Sequence, residues 1–184
     1  MRRIWAVAIL CGALLLAGCL PEGTYQVTPE LHNGTASVGL WHTVGGDSCY
    51  WERLRGFSGS VSDIIANNLS TVGPRYVEIK AGDAGFRTER CFPWAQADGP
   101  FDYKFGLNSS NQQFGDGDFR VGTEMPAGRY QASTPSGCYW ARLSGFSGEL
   151  ADINANASDQ AIVDIASTDV GFTTDHCGVW TKIG

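Results

Sequence analysis

Residues 49–68 read CYWERLRGFSGSVSDIIANN and residues 138–157 read CYWARLSGFSGELADINANA; 13 of the 20 positions are identical, without a gap. After a three-residue deletion in the second copy, residues 83–94 (DAGFRTERCFPW) fall on 169–180 (DVGFTTDHCGVW) with 6 of 12 identical. Upstream, Gly39-Leu40-Trp41 falls on Gly128-Arg129-Tyr130, and Gly23 to Val27 matches Gly117 to Val121 more weakly, at the cost of an insertion in the first copy. Self-similarity of this kind means one structural unit used twice.

Each unit reads as strands. Val38 to Val44, Cys49 to Leu54, Tyr76 to Lys80 and Phe86 to Phe92 are short aromatic and β-branched runs separated by Gly, Asn, Asp and Pro, the pattern of strands joined by turns. The second copy offers Arg129 to Ala132, Cys138 to Leu143, Ala161 to Ile165, Phe172 to His176 and Val179 to Ile183. Val61 to Asn67 and Leu150 to Asn156 suit either a turn of helix or a strand, and the alternating Phe101, Tyr103 and Phe105 suggest a last strand of the first unit. The predicted fold is all-β: two tandem homologous small antiparallel sandwich or barrel domains. The polar, Gly-rich run 108–116 reads as a linker, which places the domains at 19–107 and 117–184.

Cysteine arithmetic supports the division. Of six cysteines, Cys11 and Cys19 lie near the N-terminus, and each copy owns one early and one late: Cys49 with Cys91, Cys138 with Cys177. A bond inside each copy is the economical pairing, and closing such a loop contributes about 4 kcal/mol on the chain-entropy model. Domains of this size bury too little apolar surface to dispense with a staple, and the bonds require an oxidising compartment.

Composition excludes other classes. With 24 Gly and 17% charged residues among 184, the chain is neither a disordered tail nor a coiled coil. Thirteen basic against nineteen acidic side chains give a net charge of -6, so no nucleic-acid partner is expected. Residues 1–18 carry Arg2 and Arg3 followed by an apolar stretch from Ile4 to Leu16, the form of an export signal. Its end, Leu16-Ala17-Gly18-Cys19, resembles the lipobox of bacterial lipoproteins, which implies that Cys19 becomes the lipidated first residue, carrying acyl chains such as palmitate. The alternative is a secreted protein with Cys19 in a disulfide. Removing the signal takes away two arginines and leaves a net charge of -8, so membrane attachment is expected through lipid and not through a basic patch. Leu20 stands where many Gram-negative lipoproteins have a retaining Asp, which fits an outer membrane or the outer face of a single membrane. The fold is expected to begin at Gly23, with Leu20, Pro21 and Glu22 as a short spacer.

The pattern G-x-Y, GCYWxRLxGFSG, D-I-x-A-N and D-x-G-F-x-T-x-x-C-x-x-W resembles a small module that recurs in secreted proteins and lipoproteins of actinobacteria and other Gram-positive bacteria, an accessory β domain without an established activity. The first copy departs from it at Ser48, where the second has Gly137. The resemblance implies location and modular architecture and supplies no catalytic residue.

Motifs that could carry chemistry have simpler readings. Gly56-Phe57-Ser58-Gly59 and its counterpart at 145–148 lack the spacing of a nucleophile elbow and read as tight turns. His32, His42 and His176 have no counterparts, nor neighbours at metal-ligand spacing. The shared polar residues are Arg53/Arg142, Asp63/Asp152, Asp83/Asp169 and Asn67/Asn156. No calcium-loop motif joins the acids, so neither metal nor cofactor is expected, and Asn67 and Asn156 read as satisfying turn backbone. Strand alternation puts Arg53 beside Cys49 and Trp51, and Arg142 beside Cys138 and Trp140, on one face; a buried Arg there needs an acid of its own copy. Asp63 or Asp83 is open to Arg53, and Asp152 or Asp169 to Arg142. The shared aromatics read as core, although exposed ones would suit a glycan platform.

The expected function is therefore a non-enzymatic lipoprotein of the cell envelope, held on the membrane's extracytoplasmic face by lipid. It serves as a binding or structural module for an envelope protein or glycan. A cell-wall glycan binder and a phage or prophage lipoprotein that blocks a receptor are the alternatives.

Overall fold

The computed structural model describes residues 18–99 and 113–184; the segment up to Ala17, expected as an export signal, and the strand expected at 101–105 lie outside them. The chain divides into two compact units, and the second takes in the short segment Val72–Tyr76.

The first domain is a sandwich of two sheets. One sheet holds β1 (Cys19–Leu20), β9 (Trp94–Gln96), β4 (Gly39–Thr43) and β7 (Arg75–Ile79) in that order. The other holds β3 (Thr35–Ser37), β2 (Gly23–Thr28), β8 (Gly85–Glu89), β5 (Cys49–Leu54) and β6 (Ile64–Ser70). The second domain repeats the plan. Its sheets run β10 (Gln113–Phe114), β17 (Trp180–Lys182), β12 (Gly128–Ala132), β15 (Ile162–Ile165), and β11 (Gly117–Arg120), β16 (Gly171–Asp175), β13 (Tyr139–Leu143), β14 (Ile153–Ser158). The extra strand β3 lies in the first copy's insertion. It pairs parallel with β2, a departure from the all-antiparallel expectation that puts Ala36 into the core.

The repeated motif explains itself in packing. Alternation on β5 sends Cys49, Trp51 and Arg53 into the interior, and all three are buried. Phe86 meets Trp94 edge-on with ring centroids 5.5 Å apart, and Phe172 meets Trp180 in the same way at 5.5 Å. Each buried indole donates to the motif's threonine, Trp94 Nε1 to Thr88 Oγ1 and Trp180 Nε1 to Thr174 Oγ1, both at 2.8 Å. These bonds satisfy a donor that would be costly to bury alone. Disulfides join Cys49 to Cys91 and Cys138 to Cys177. Both ambiguous segments turn out to be composite: a single 3-10 turn (Val61–Asp63, Leu150–Asp152) leads directly into a strand.

Two boundaries differ from the sequence reading. The fold begins at Cys19, because β1 pairs with Ala95 and Trp94 and Leu20 is 3% exposed; Pro21 and Glu22 connect two strands and do not form a spacer. Its counterpart β10 pairs with Trp180 and Thr181 inside the run expected as linker. In both places a single apolar side chain, Leu20 or Phe114, sits in a polar or Gly-rich context and fills the core, and the local composition conceals it.

Candidate functional site

The acids that both copies share are occupied in holding the fold. Asp83 takes Arg53 through two bonds of 2.7 Å, Nε to Oδ2 and Nη2 to Oδ1, and Asp169 takes Arg142 at 2.7 and 3.2 Å. Asp63 and Asp152 do not pair with the arginines. Asp63 Oδ2 accepts the Ser58 N–H at 2.6 Å and the Ser58 hydroxyl at 2.7 Å, and Asp152 Oδ2 does the same for Ser147. The glycines open space for this turn: a Cβ on Gly56 would come within 3.0 Å of Asp63. Asn67 and Asn156 lie on strands and donate to the hydroxyls of Tyr50 and Tyr139 at 3.3 and 3.4 Å, so they do not serve turn backbone.

Both copies have the same bulge, between Arg53 and Leu54 and between Arg142 and Leu143, where one extra residue is squeezed out of the ladder. In the second domain that residue is Asn154, whose amide donates to Asp169 Oδ1 at 3.0 Å. Burial pushes the Asp169 carboxyl up, but the hydrogen bonds from Arg142, the Ala166 N–H and Asn154 outweigh it and hold it below the ordinary value of 3.8. A depressed carboxyl contributes stability that is complete above its unfolded value and lost as pH falls through the folded one. Chemical melts of the second domain between pH 5 and 2 are thus expected to show acid destabilisation below about pH 4, and Asp169→Asn should flatten it.

The copies part on their outer faces. Opposite Cys49, Trp51 and Arg53, strand β5 presents Tyr50, Glu52 and Leu54, and the ladder sets Tyr50 beside Glu89, Glu52 beside Arg87 and Leu54 beside Gly85. The Tyr50 hydroxyl donates to Glu52 at 2.5 Å; burial and this bond raise its pKa. Arg87 contacts Glu89 and donates to Glu52 at 3.3 Å, and the Glu89 bond leads the causes that raise its pKa. Phe57 lies over Gly85, where a Cβ would meet its ring at 2.6 Å. Glu52, Phe57, Val61, Asp63, Arg87 and Glu89 line an open groove of about 480 Å³. Phe57 is 53% and Val61 82% exposed.

On the second domain the corresponding face is filled. Ala141 stands for Glu52, Thr173 for Arg87, Asp175 for Glu89, Asp118 for Thr24 and Phe146 for Phe57, by the matching ladders. Val72–Tyr76, part of this unit, lies across it. Arg75 reaches Asp118 at 3.1 Å and Asp175 at 4.0 Å. The Tyr76 ring sits 5.1 Å from Phe146, its N–H donates to Asp118 at 2.9 Å and its hydroxyl to Glu124 at 2.6 Å. The Asp118 N–H in turn donates to the Pro74 carbonyl at 2.9 Å. Phe146 is 5% exposed as a result. Sequence reasoning named none of Glu52, Arg75, Tyr76, Arg87, Asp118 or Glu124 as functional. Two signals were present: the three-residue gap between the copies falls in the stretch containing Val72–Tyr76, and Glu52 and Arg87 are mismatches inside otherwise well-matched segments.

Among the described residues no cluster of three or more His, Cys, Asp or Glu could hold a metal, and no helix is long and apolar enough to cross a membrane. His42 is buried in β4, whereas His176 is exposed beside Asp175. A family model described as an Rv1352-like extracellular domain matches the chain twice, over residues 18–95 and 111–181. Neither a curated protein nor a solved structure matches.

Proposed function

The chain belongs to the Rv1352-like extracellular domain family, and from that premise we propose that it is a non-enzymatic lipoprotein of the cell envelope that presents a binding face outside the membrane. The observation that carries the binding role is the contrast between two homologous sheet faces, one covered by a peptide segment and the other open with Phe57 half exposed. Apolar side chains of this kind, rimmed by charge on an extracellular surface, mark interaction sites more often than chance.

Against catalysis stands the use made of the polar residues that both copies retain. Arg53, Ser58, Asp63, Asp83 and Thr88 each have a structural partner, as do their counterparts, so these shared residues are engaged in holding the fold. A glycan platform would need solvent-facing Trp or Tyr rings in a groove. Trp41, Trp51, Trp94, Trp140 and Trp180 are all buried, and the half-buried Tyr50 is bonded to Glu52 beside the groove, which favours a protein partner.

Anchoring rests on the resemblance of Leu16 to Cys19 to a lipobox. Cleavage before Cys19 would leave β1 whole, and because Cys19 is itself in the sheet the lipid would emerge directly from the folded domain. A disulfide at Cys19 and its lipidation use the same sulfur, so the two states exclude each other. Intact mass of the protein from a bacterial host distinguishes them. The expected outcome is an acylated N-terminus at Cys19, partition into detergent, and release of Cys19→Ala into the aqueous phase. Equal partition of the mutant and the wild type would refute the anchor.

A further inference from the structure

Building on the reading of a surface binding module, we propose that the open face of the first domain is a docking groove for an extended segment of a partner protein in which an arginine is followed directly by an aromatic residue. The second domain displays the bound form of this arrangement. There the occupant is Gly73-Pro74-Arg75-Tyr76, held by guanidinium to carboxylate pairing at Asp118 and Asp175, by ring contact at Phe146, and by backbone bonds on both sides of Asp118. The first domain keeps the parts that would hold such a segment. Phe57 occupies the position of Phe146, and Glu89 that of Asp175; the second acid is moved two strands over, from Asp118 on the edge strand to Glu52 on β5, across the central strand that carries Arg87.

Charge agrees with this occupant. Setting aside Asp63, which closes the Ser58 turn, Glu52 and Glu89 share one lining cation, Arg87, whose side chain is 43% exposed, so the groove keeps a net negative charge for an incoming guanidinium. Planar, bidentate pairing makes Arg the better fit to such a site than Lys. The half-exposed Phe57 ring supplies the apolar contact, and aromatic and Arg anchors dominate the energetics of protein interfaces. A second copy of the chain does not offer the segment, since its own Arg75 and Tyr76 are each 2% exposed and committed to the second domain. The occupant is therefore a different protein.

The probe is a synthetic peptide with the sequence of residues 70–77, STVGPRYV, capped at both ends and titrated into the isotope-labelled, non-lipidated Cys19→Ala form of the whole chain. Saturable shifts confined to Phe57, Val61, Arg87 and Glu89 are expected. Phe57→Ala or Glu89→Lys should weaken binding by tenfold or more, and a peptide with Ala in place of its Arg should behave likewise. Phe57 lies on a surface turn and Glu89 near a strand end, and unchanged dispersion of the remaining signals checks that each variant is folded. Absence of any shift at millimolar peptide, or binding that both variants leave intact, overturns the inference. Detergent partition of the wild type is read separately: its loss rejects the anchored module, whereas retained partition without peptide binding rejects the docking groove alone.

Discussion

Arg53→Met is expected to destabilise the first domain by about 3–5 kcal/mol, the cost of leaving one member of a buried ion pair without its partner. Asp83 is 1% and Arg53 2% exposed at the side chain. Without the guanidinium the carboxylate keeps the Lys80 N–H at 2.8 Å but loses two charge-assisted bonds. The same change at Arg142 should cost less, about 1–2 kcal/mol, because that side chain is 26% exposed, water can reach the site, and Asp169 retains Asn154. Native-state hydrogen exchange resolved to β5 and β13 measures the two domains in one molecule. Equal losses at both would contradict the burial argument. The double change Arg53→Met with Asp83→Leu should recover part of the loss, since a matched apolar pair removes the unpaired charge.

Removing the second disulfide with Cys138→Ser and Cys177→Ser is expected to cost the second domain about 4 kcal/mol, as estimated for a closed loop of this length. The bond spans 39 residues and its two cysteines are fully buried among Phe172, Trp180 and Trp140. A unit of this size has little stability in reserve, so the variant should be largely unfolded at 37 °C while the first domain, stapled by its own bond, keeps its exchange protection. Collapse of both domains together would show that they are not separate cooperative units.

Strand positions, the division into two copies and the disulfide pairing could be read from the chain because they depend on local period and on covalent arithmetic. Alternation along Cys49 to Leu54 is a property of any extended strand, and a repeat holding one early and one late cysteine leaves a single economical pairing. The choice between Asp63 and Asp83 was not legible in the same way. Asp63 follows the Gly56 to Gly59 turn closely enough to close it, while Asp83 meets Arg53 across 30 residues, and two acids of equal charge look alike until the chain has folded. Leu20 and Phe114 were hidden for a related reason: a two-residue strand has no period to detect, and only the tertiary pairing reveals that each fills a core.

The outer faces make the distinction sharpest. Phe57 and Phe146 occupy identical motifs, GFSG in both copies, and nothing local separates them. One is 53% and the other 5% exposed because Val72–Tyr76 covers the second and the first stands open. Motif identity follows from the residues themselves and sets turn, strand and core. Exposure is a property of what else arrives at the surface, and that depends on where a segment distant in the chain comes to rest.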